Sequence, residues 1–144
     1  PPAASSAALL ATGPDAEAIA ALEALRSGVE KCVEDVIHVM PGTSPAVPES
    51  LAWLKNGPYQ PLPRDWASPV FSCTGFKLEK PMPFMIQWQL EKGGKGAGVV
   101  WIDEDRDGTA DRAYAFEATL KSKDDLKLGN VEPVDATRKL ARFR

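Results

Sequence analysis

The sequence predicts a two-layer α+β domain in which one long amphipathic helix packs on an antiparallel sheet of about four strands. The first observation behind this prediction is a proline-free stretch, residues 15–40, with an apolar stripe at helical spacing. The second is a series of β-prone segments separated by turn residues in 70–120. The length of 144 residues suits a single domain with its own core.

The N-terminal segment, residues 1–14, is rich in small residues and low in complexity. We expect a flexible arm or linker there, and one domain over residues 15–144. Because the chain begins at Pro1 with no signal sequence, we expect the numbered sequence to be a mature or trimmed fragment.

The helix is predicted over residues 15–40. Acidic residues in its first turn, Asp15 and Glu17, favour a helix start, and Met-Pro-Gly at 40–42 ends the pattern. The chain has one histidine, His38, which lies off the apolar stripe of this helix, so we expect its side chain to be solvated. The stripe runs at spacings of three and four through Leu22, Leu25, Val29, Cys32, Val36 and Val39.

Residues 41–69 are rich in proline and have no long periodic segment, which predicts an irregular loop with a binding role or surface. Within it, ESLAWLKNG suits a short helix. Trp53, Tyr59 and Trp66 are candidate contacts with a partner, and the alternative is that these side chains anchor the loop on the core.

Four segments that favour strands follow the loop, and the short turns between them predict an antiparallel meander. We expect the tail, residues 121–144, to have little order apart from an edge strand at 130–134. The four segments are VFSCTGF (70–76), PFMIQWQL (83–90), AGVVWID (97–103) and RAYAFEATL (112–120).

The two cysteines, Cys32 and Cys73, form neither a CxxC pair nor a zinc-binding spacing. Cys32 lies on the apolar stripe and Cys73 in the first predicted strand, so a disulfide between them would join the helix to the sheet. Two buried thiols in a cytosolic protein are the alternative.

An acidic segment, WIDEDRDGTADRAYAF, lies between the last two predicted strands. It fits D-x-D-x-D-G-x-x-D, the first nine positions of an EF-hand calcium loop, in which alternate carboxylates face one hard cation. Position twelve is Tyr114 rather than glutamate, and strands flank the loop, so two interpretations stay open: a weak Ca²⁺ site, and an acidic turn that needs no ion. The candidate ligands are the side chains of Asp103, Asp105, Asp107 and Asp111 and the backbone carbonyl of Thr109.

Composition excludes several classes of function. The net charge of −3 offers no basic surplus for phosphates, so we expect no nucleic-acid partner. No apolar run approaches the roughly 20 residues of a membrane span. We find no GxSxG, P-loop or GxGxxG motif, and one histidine allows no histidine cluster, so we expect no enzymatic activity.

Three stretches together resemble the globular heads of type IV pilins and of the related pseudopilins of type II secretion. They are DAEAIAALEALRSGVEKCVEDV, DWASPVFSCTGFKLEKPMPFMIQWQL and GVVWIDEDRDGTADRAYAF, within residues 15–120. The family's hydrophobic N-terminal helix, with its glutamate at the fifth position, is missing from this sequence, and Pro14 would break it. Any contact with a membrane would therefore use a segment outside this chain.

The resemblance implies a non-enzymatic structural subunit of an extracellular filament, with a role in assembly, adhesion, motility or secretion. Its partners would be other pilin-like subunits or a surface protein, and its location the periplasm or the cell surface. In pseudopilins an acidic loop near the sheet binds calcium, so the resemblance gives that role to Asp103, Asp105, Asp107 and Asp111. The alternative function is a soluble periplasmic or extracellular calcium-dependent binding module, with its ligand surface on residues 41–69.

Overall fold

The computed structural model describes residues 13–35, 42–91, 93–122 and 125–141. These residues form an α+β domain with an N-terminal helix and an antiparallel sheet of five strands, which confirms the predicted class. The predicted arm up to residue 12, and the positions of Val36, His38 and Val39, lie outside the described residues. The elements are α1 (Gly13–Asp35), two 3₁₀ helices (Leu51–Leu54 and Pro63–Trp66), α2 (Pro69–Thr74), β1 (Met85–Leu90), β2 (Lys95–Ile102), β3 (Arg112–Ser122), β4 (Asp125–Leu128) and β5 (Glu132–Val134).

The sheet has the order β1-β2-β3-β4, and β5 pairs with the first half of β3 while β4 pairs with its second half. Along the other side of β1 runs an extended segment from the proline-rich loop. Val47 and Ile86 exchange backbone hydrogen bonds of 2.9 Å, and the Ser44 N–H donates to the Trp88 carbonyl at 2.9 Å. The loop therefore covers this edge of the sheet.

Helix α1 packs on the inner face of the sheet. Strand alternation places Trp88 and Phe116 on this face, with ring centroids 6.2 Å apart, beneath the apolar side of α1. Gly98 on β2 leaves room for the Phe116 ring, because a Cβ at Gly98 would lie 2.2 Å from it. The buried residues that α1 contributes are Ala18, Ile19, Ala21, Leu22, Leu25, Val29 and Cys32.

The outer face of the sheet is also covered, so the prediction of two layers was incomplete. Met85, Val99 and Trp101 on this face are at most 3% exposed. Parts of the 41–69 loop, β5 and the C-terminal tail pack over them. The tail is ordered here as β4, β5 and residues 135–141, so the expectation of low order was wrong; the predicted edge strand is β5, which pairs with β3.

The first predicted strand, residues 70–76, is instead the short helix α2. Pro69 occupies its first turn, where a missing N–H costs nothing, and Gly75 ends it with a left-handed φ of 69°. A short apolar run is compatible with either structure, and here these flanking residues favour the helix.

Cys32 and Cys73 form a disulfide, with their Cα atoms 5.5 Å apart. The bridge joins α1 to α2 rather than helix to sheet. Gly28, one turn before Cys32, makes this close packing possible, since a Cβ on it would lie 2.8 Å from the Thr74 Cβ.

Gly28→Ala is therefore expected to lower the free energy of unfolding by about 1–3 kcal/mol, although alanine favours helices more than glycine does. The added methyl overlaps Thr74, and the disulfide beside it restrains α2 from moving away. Urea denaturation measures the change. Ser27→Ala, at an exposed position of the same helix, is the control and should leave stability unchanged or slightly raised. Equal stability of the two variants would contradict the packing role of Gly28.

Candidate metal site in the acidic loop

The acidic loop, residues 103–111, connects β2 to β3. The Asp111 N–H donates to the Ile102 carbonyl at 2.7 Å, which closes the loop at its base. Two residues with left-handed backbone, Arg106 (φ 58°) and Gly108 (φ 89°), turn the chain between its ends. Asp103 is buried at the base, with 5% exposure, whereas the positions from 104 to 109 are exposed.

Backbone N–H groups already hydrogen-bond to the carboxylates of the loop. Asp103 accepts from Gly108 N at 2.7 Å and from Asp107 N at 3.2 Å. Asp111 Oδ2 accepts from the N–H groups of Glu104 and Asp105, at 2.8 and 3.2 Å. These bonds hold the turn without an ion, and a carboxylate oxygen that accepts one N–H keeps a second lone pair for a cation.

Three carboxylates converge. Asp103, Asp105 and Asp111 each offer one oxygen, and these oxygens lie within 4.8 Å of one another. Oxygens that ligate one Ca²⁺ at 2.3–2.6 Å have spacings up to about 5 Å, so this arrangement fits the ion. Three protein ligands leave the remaining positions of a six- to eight-coordinate ion to other oxygens or water.

Asp107, one of the sequence-predicted ligands, is not in this group of three. The Asp107 carboxylate accepts a hydrogen bond from the Thr109 N–H at 2.8 Å, which forms a local turn. This bond lowers the pKa of Asp107. Of the five predicted ligands, the structure thus brings three side chains together.

The neighbouring carboxyl groups raise the pKa of Asp105. A hydrogen bond with the Asp103 carboxyl raises the pKa of Asp105 to about 6, with smaller contributions from desolvation and from the charges of Asp107 and Asp111. In the loop without metal, Asp105 therefore takes up a proton at mildly acidic pH. A cation between the same oxygens would replace this proton.

An ion-pair network ties the loop to the start of α1. Arg112, the first residue of β3, forms a bidentate pair with Asp15 through two bonds of 2.7 Å. The same guanidinium donates to Glu104 in the loop at 3.2 Å. The Tyr114 hydroxyl also donates to Asp15, at 2.6 Å. The buried Asp15 carboxylate of α1 therefore contacts β3 directly, and the acidic loop through Arg112.

The network shifts the pKa values of Asp15 and Tyr114. Burial raises the pKa of Asp15, but the hydrogen bonds from Arg112 and Tyr114 outweigh it, so the net pKa lies below its ordinary value. Burial and the bond to Asp15 raise the pKa of Tyr114 to about 12. Local sequence patterns do not reveal this network, because Arg112 and Tyr114 lie 97 and 99 positions from Asp15. The available signal was Asp15, which the sequence pattern assigned only to a helix start.

The three aromatic candidates for partner contact separate by exposure. Trp66 is 8% exposed, and its indole N–H donates to the Leu78 carbonyl at 3.0 Å, so it anchors the loop on the core and is not a surface contact. Tyr59 is half-buried, and its hydroxyl donates to Asp65 at 2.8 Å. Trp53 is 52% exposed and lies against Tyr59, with ring centroids 5.7 Å apart.

A groove with a mixed polar and apolar lining lies beside Trp66, with a volume of about 640 Å³. Its walls come from the end of the proline-rich loop, from α2 and from the segment after α2. Residues that line it include Pro61, Leu62, Trp66, Phe71, Phe76 and Leu78. Lys77 and Glu79 add charges at its rim.

Comparison with known proteins gives no match: no protein-family model, no curated protein and no solved structure is similar to this chain. The resemblance to pilins thus depends on the quoted stretches of sequence and the fold class. Among the described residues, no helix is both long enough and apolar enough to cross a membrane.

Arg112→Met is expected to destabilise the protein by about 2 kcal/mol near pH 7, because it leaves the Asp15 carboxylate buried without its cation. The Asp15 pKa is lowered in the folded state, so the stabilisation is present above the unfolded pKa of 3.8 and is lost as pH falls through the lower folded value. Urea denaturation at about pH 7 and about pH 3 measures both effects. Arg64→Met, at an exposed position, is the control. A loss of equal size at the two pH values would contradict this account.

Proposed function

We propose that this chain is the head domain of a pilin-like, non-enzymatic structural subunit of an extracellular filament, a type IV pilus or a pseudopilus, possible roles being assembly, adhesion, motility and secretion. The observation that carries the proposal is the order of elements: α1 on the inner face of an antiparallel sheet, then the proline-rich loop, then an acidic loop between β2 and β3. This order agrees with the plan that the sequence resemblance implies. A role as a minor pilin fits the same architecture.

The Cys32–Cys73 disulfide supports an exported location. Structural disulfides persist in the periplasm and outside the cell, whereas the cytosol keeps thiols reduced. We therefore place the domain in the periplasm or at the cell surface. Its partners are other pilin-like subunits or a surface protein, and Trp53 is the exposed aromatic residue available for such a contact.

Within this proposal the acidic loop binds Ca²⁺ as a brace between β2 and β3. Asp103, Asp105 and Asp111 are the ligands that the geometry favours. The ion would neutralise the carboxylates at the base of the loop and fix the position of Glu104, which contacts Arg112. Its role is thus structural, and its affinity on the order of 10⁻⁴ to 10⁻³ M suits extracellular calcium.

Millimolar Ca²⁺ is expected to raise the melting temperature, since the ion binds the folded loop and not the unfolded chain. Asp105→Asn combined with Asp111→Asn should abolish this rise. Glu91→Gln combined with Glu132→Gln removes the same charge at exposed positions elsewhere and should preserve it. Differential scanning calorimetry with and without calcium measures the effect. No rise in the unmodified protein would mean that the loop is a turn without an ion.

The raised pKa of Asp105 adds a pH dependence to this test. Because the pKa of Asp105 is about 6, protons compete with the ion, and calcium affinity should fall as pH drops below that value. Without calcium, the free energy of unfolding has the opposite pH dependence. The folded state binds more protons than the unfolded state between pH 3.8 and about 6, so stability decreases as pH rises through this range.

The groove beside Trp66 favours a second candidate, a soluble periplasmic or extracellular calcium-dependent binding module. A groove of about 640 Å³ with aromatic and proline walls is of a size that takes a small ligand or a short apolar segment. In this alternative the ligand surface lies on residues 41–69 and the protein works as a free domain. Calcium binding alone does not distinguish the two candidates.

Isolation of surface filaments distinguishes the two candidate functions. We expect an antibody against the domain to detect it in surface filaments sheared from the native cells. A photo-reactive residue in place of Trp53 should crosslink it to a neighbouring subunit there, because this side chain is exposed. The same substitution at Trp66, which is buried, is the control and should crosslink only within the chain. Recovery of the protein solely as a free soluble species would favour the binding module.

A further inference from the structure

The turn after the first 3₁₀ helix, residues 55–58, contains the one Asn-Gly pair of the chain. The structure holds both ends of this turn in place. Leu54 before it is 3% exposed, and the backbone of Tyr59 after it exchanges hydrogen bonds of 2.9 and 2.8 Å with Met82. Asn56 between these points is exposed. The pair therefore lies in water, on a base that is fixed to the rest of the domain.

The reactive atoms of this pair are open to each other and to solvent. The Asn56 side-chain amide has no hydrogen-bond partner among the described residues, 13–35, 42–91, 93–122 and 125–141. Gly57 has a left-handed φ of 140°, and a Cβ placed on it would meet no atom of these residues within 4 Å. Its N–H donates to the Leu54 carbonyl at 3.3 Å, which is long for a bond of this type. Nothing described here thus restrains the Asn56 amide or crowds the Gly57 nitrogen.

An asparagine followed by glycine holds both reactants of an intramolecular reaction. The Gly57 nitrogen attacks the Asn56 Cγ, so that the N–Cγ bond forms and the Cγ–Nδ2 bond breaks. Ammonia leaves with the amide proton, which it gains by way of the solvent, and a succinimide ring remains. Water then opens the ring at Cγ to give aspartate, or at the backbone carbonyl carbon to give isoaspartate. The net reaction consumes water and releases ammonia, with no oxidation or reduction.

The second asparagine of the chain, Asn130, provides an internal comparison. It is also exposed, but the residue after it is Val131, which is branched at Cβ and has 0% exposure. A branched side chain crowds its own backbone nitrogen, and its burial opposes the chain movement that the attack requires. The two asparagines therefore share exposure to water and differ in the residue that supplies the attacking nitrogen.

We propose that Asn56 is a site of spontaneous deamidation in the folded protein, with isoaspartate and aspartate as the products. Each product adds one negative charge next to Gly57. This glycine lines a groove of about 530 Å³ together with Glu17, Asp103 and Glu104, so the new charge lies beside a groove that already has acidic walls. The inference is independent of the filament proposal, because it depends only on the covalent chemistry of this turn.

Isoaspartate also changes the length of the turn, since the main chain then runs through the side chain and gains one carbon atom. The buried Leu54 and the pairing of Tyr59 with Met82 hold the two ends, so the exposed turn accommodates the extra atom. The rings of Trp53 and Tyr59 lie on either side of this turn, 5.7 Å apart. Deamidation therefore alters the surface next to the exposed Trp53.

Peptide mapping by mass spectrometry tests the proposal on the full-length protein. The protein is incubated at mildly alkaline pH, once under native conditions and once in urea, and the conversion of each asparagine is followed with time. We expect Asn56 to convert at least about tenfold faster than Asn130. We also expect its rate in the folded protein to be within about tenfold of its rate in urea, because the turn is exposed.

Two variants provide matched controls in anion-exchange chromatography. Asn56→Gln requires a larger ring for the same attack, so the more acidic species should not accumulate. Asn56→Asp carries the charge of the product from the start and should elute with the deamidated fraction. Conversion of Asn56 in urea alone overturns the proposal, since the folded turn would then protect the pair. Equal rates at Asn56 and Asn130 in the folded protein overturn it as well.

Discussion

The bidentate pair between Arg112 and Asp15 is the contact on which the arrangement of this domain depends. It joins the first turn of α1 to the first residue of β3, and through Glu104 it extends to the acidic loop. At the other end of α1 the Cys32–Cys73 disulfide fixes the helix to α2. The helix is thus attached near both ends, by an ion pair at one and by a disulfide at the other. These two contacts fix how the apolar side of the helix packs between them.

The features that the sequence predicted correctly follow from local hydrophobic periodicity. The alternation in RAYAFEATL placed Tyr114 and Phe116 on one face and the alanines between them on the other, and the structure agrees. The stripe on α1 was predicted for the same reason. The error at α2 also follows from local information, because a short apolar run fits a strand or a helix equally well and its flanking Pro69 and Gly75 decide between them.

Contacts between residues far apart in the sequence could not be predicted from local patterns. Asp15 was assigned to a helix start, and no local pattern connects it with Arg112. In the acidic loop, spacing predicted five ligands, and the carboxylates that the structure brings within 4.8 Å of one another are those of Asp103, Asp105 and Asp111. The Asp107 carboxylate, outside this group of three, accepts a hydrogen bond from the Thr109 N–H in a local turn. Spacing along a loop gives candidate donors, but the backbone dihedral angles determine which of them converge.

The segment along β1 has a consequence for association between copies. An open strand edge invites sheets to join edge to edge, which is a common route to aggregation. Here the Val47 and Ser44 contacts cover the β1 edge, and the opposite side ends in β4 and β5, of four and three residues. Neither side offers a long free ladder. Any contact between copies of this chain would therefore use side-chain surfaces, and the sheet itself would keep a fixed width.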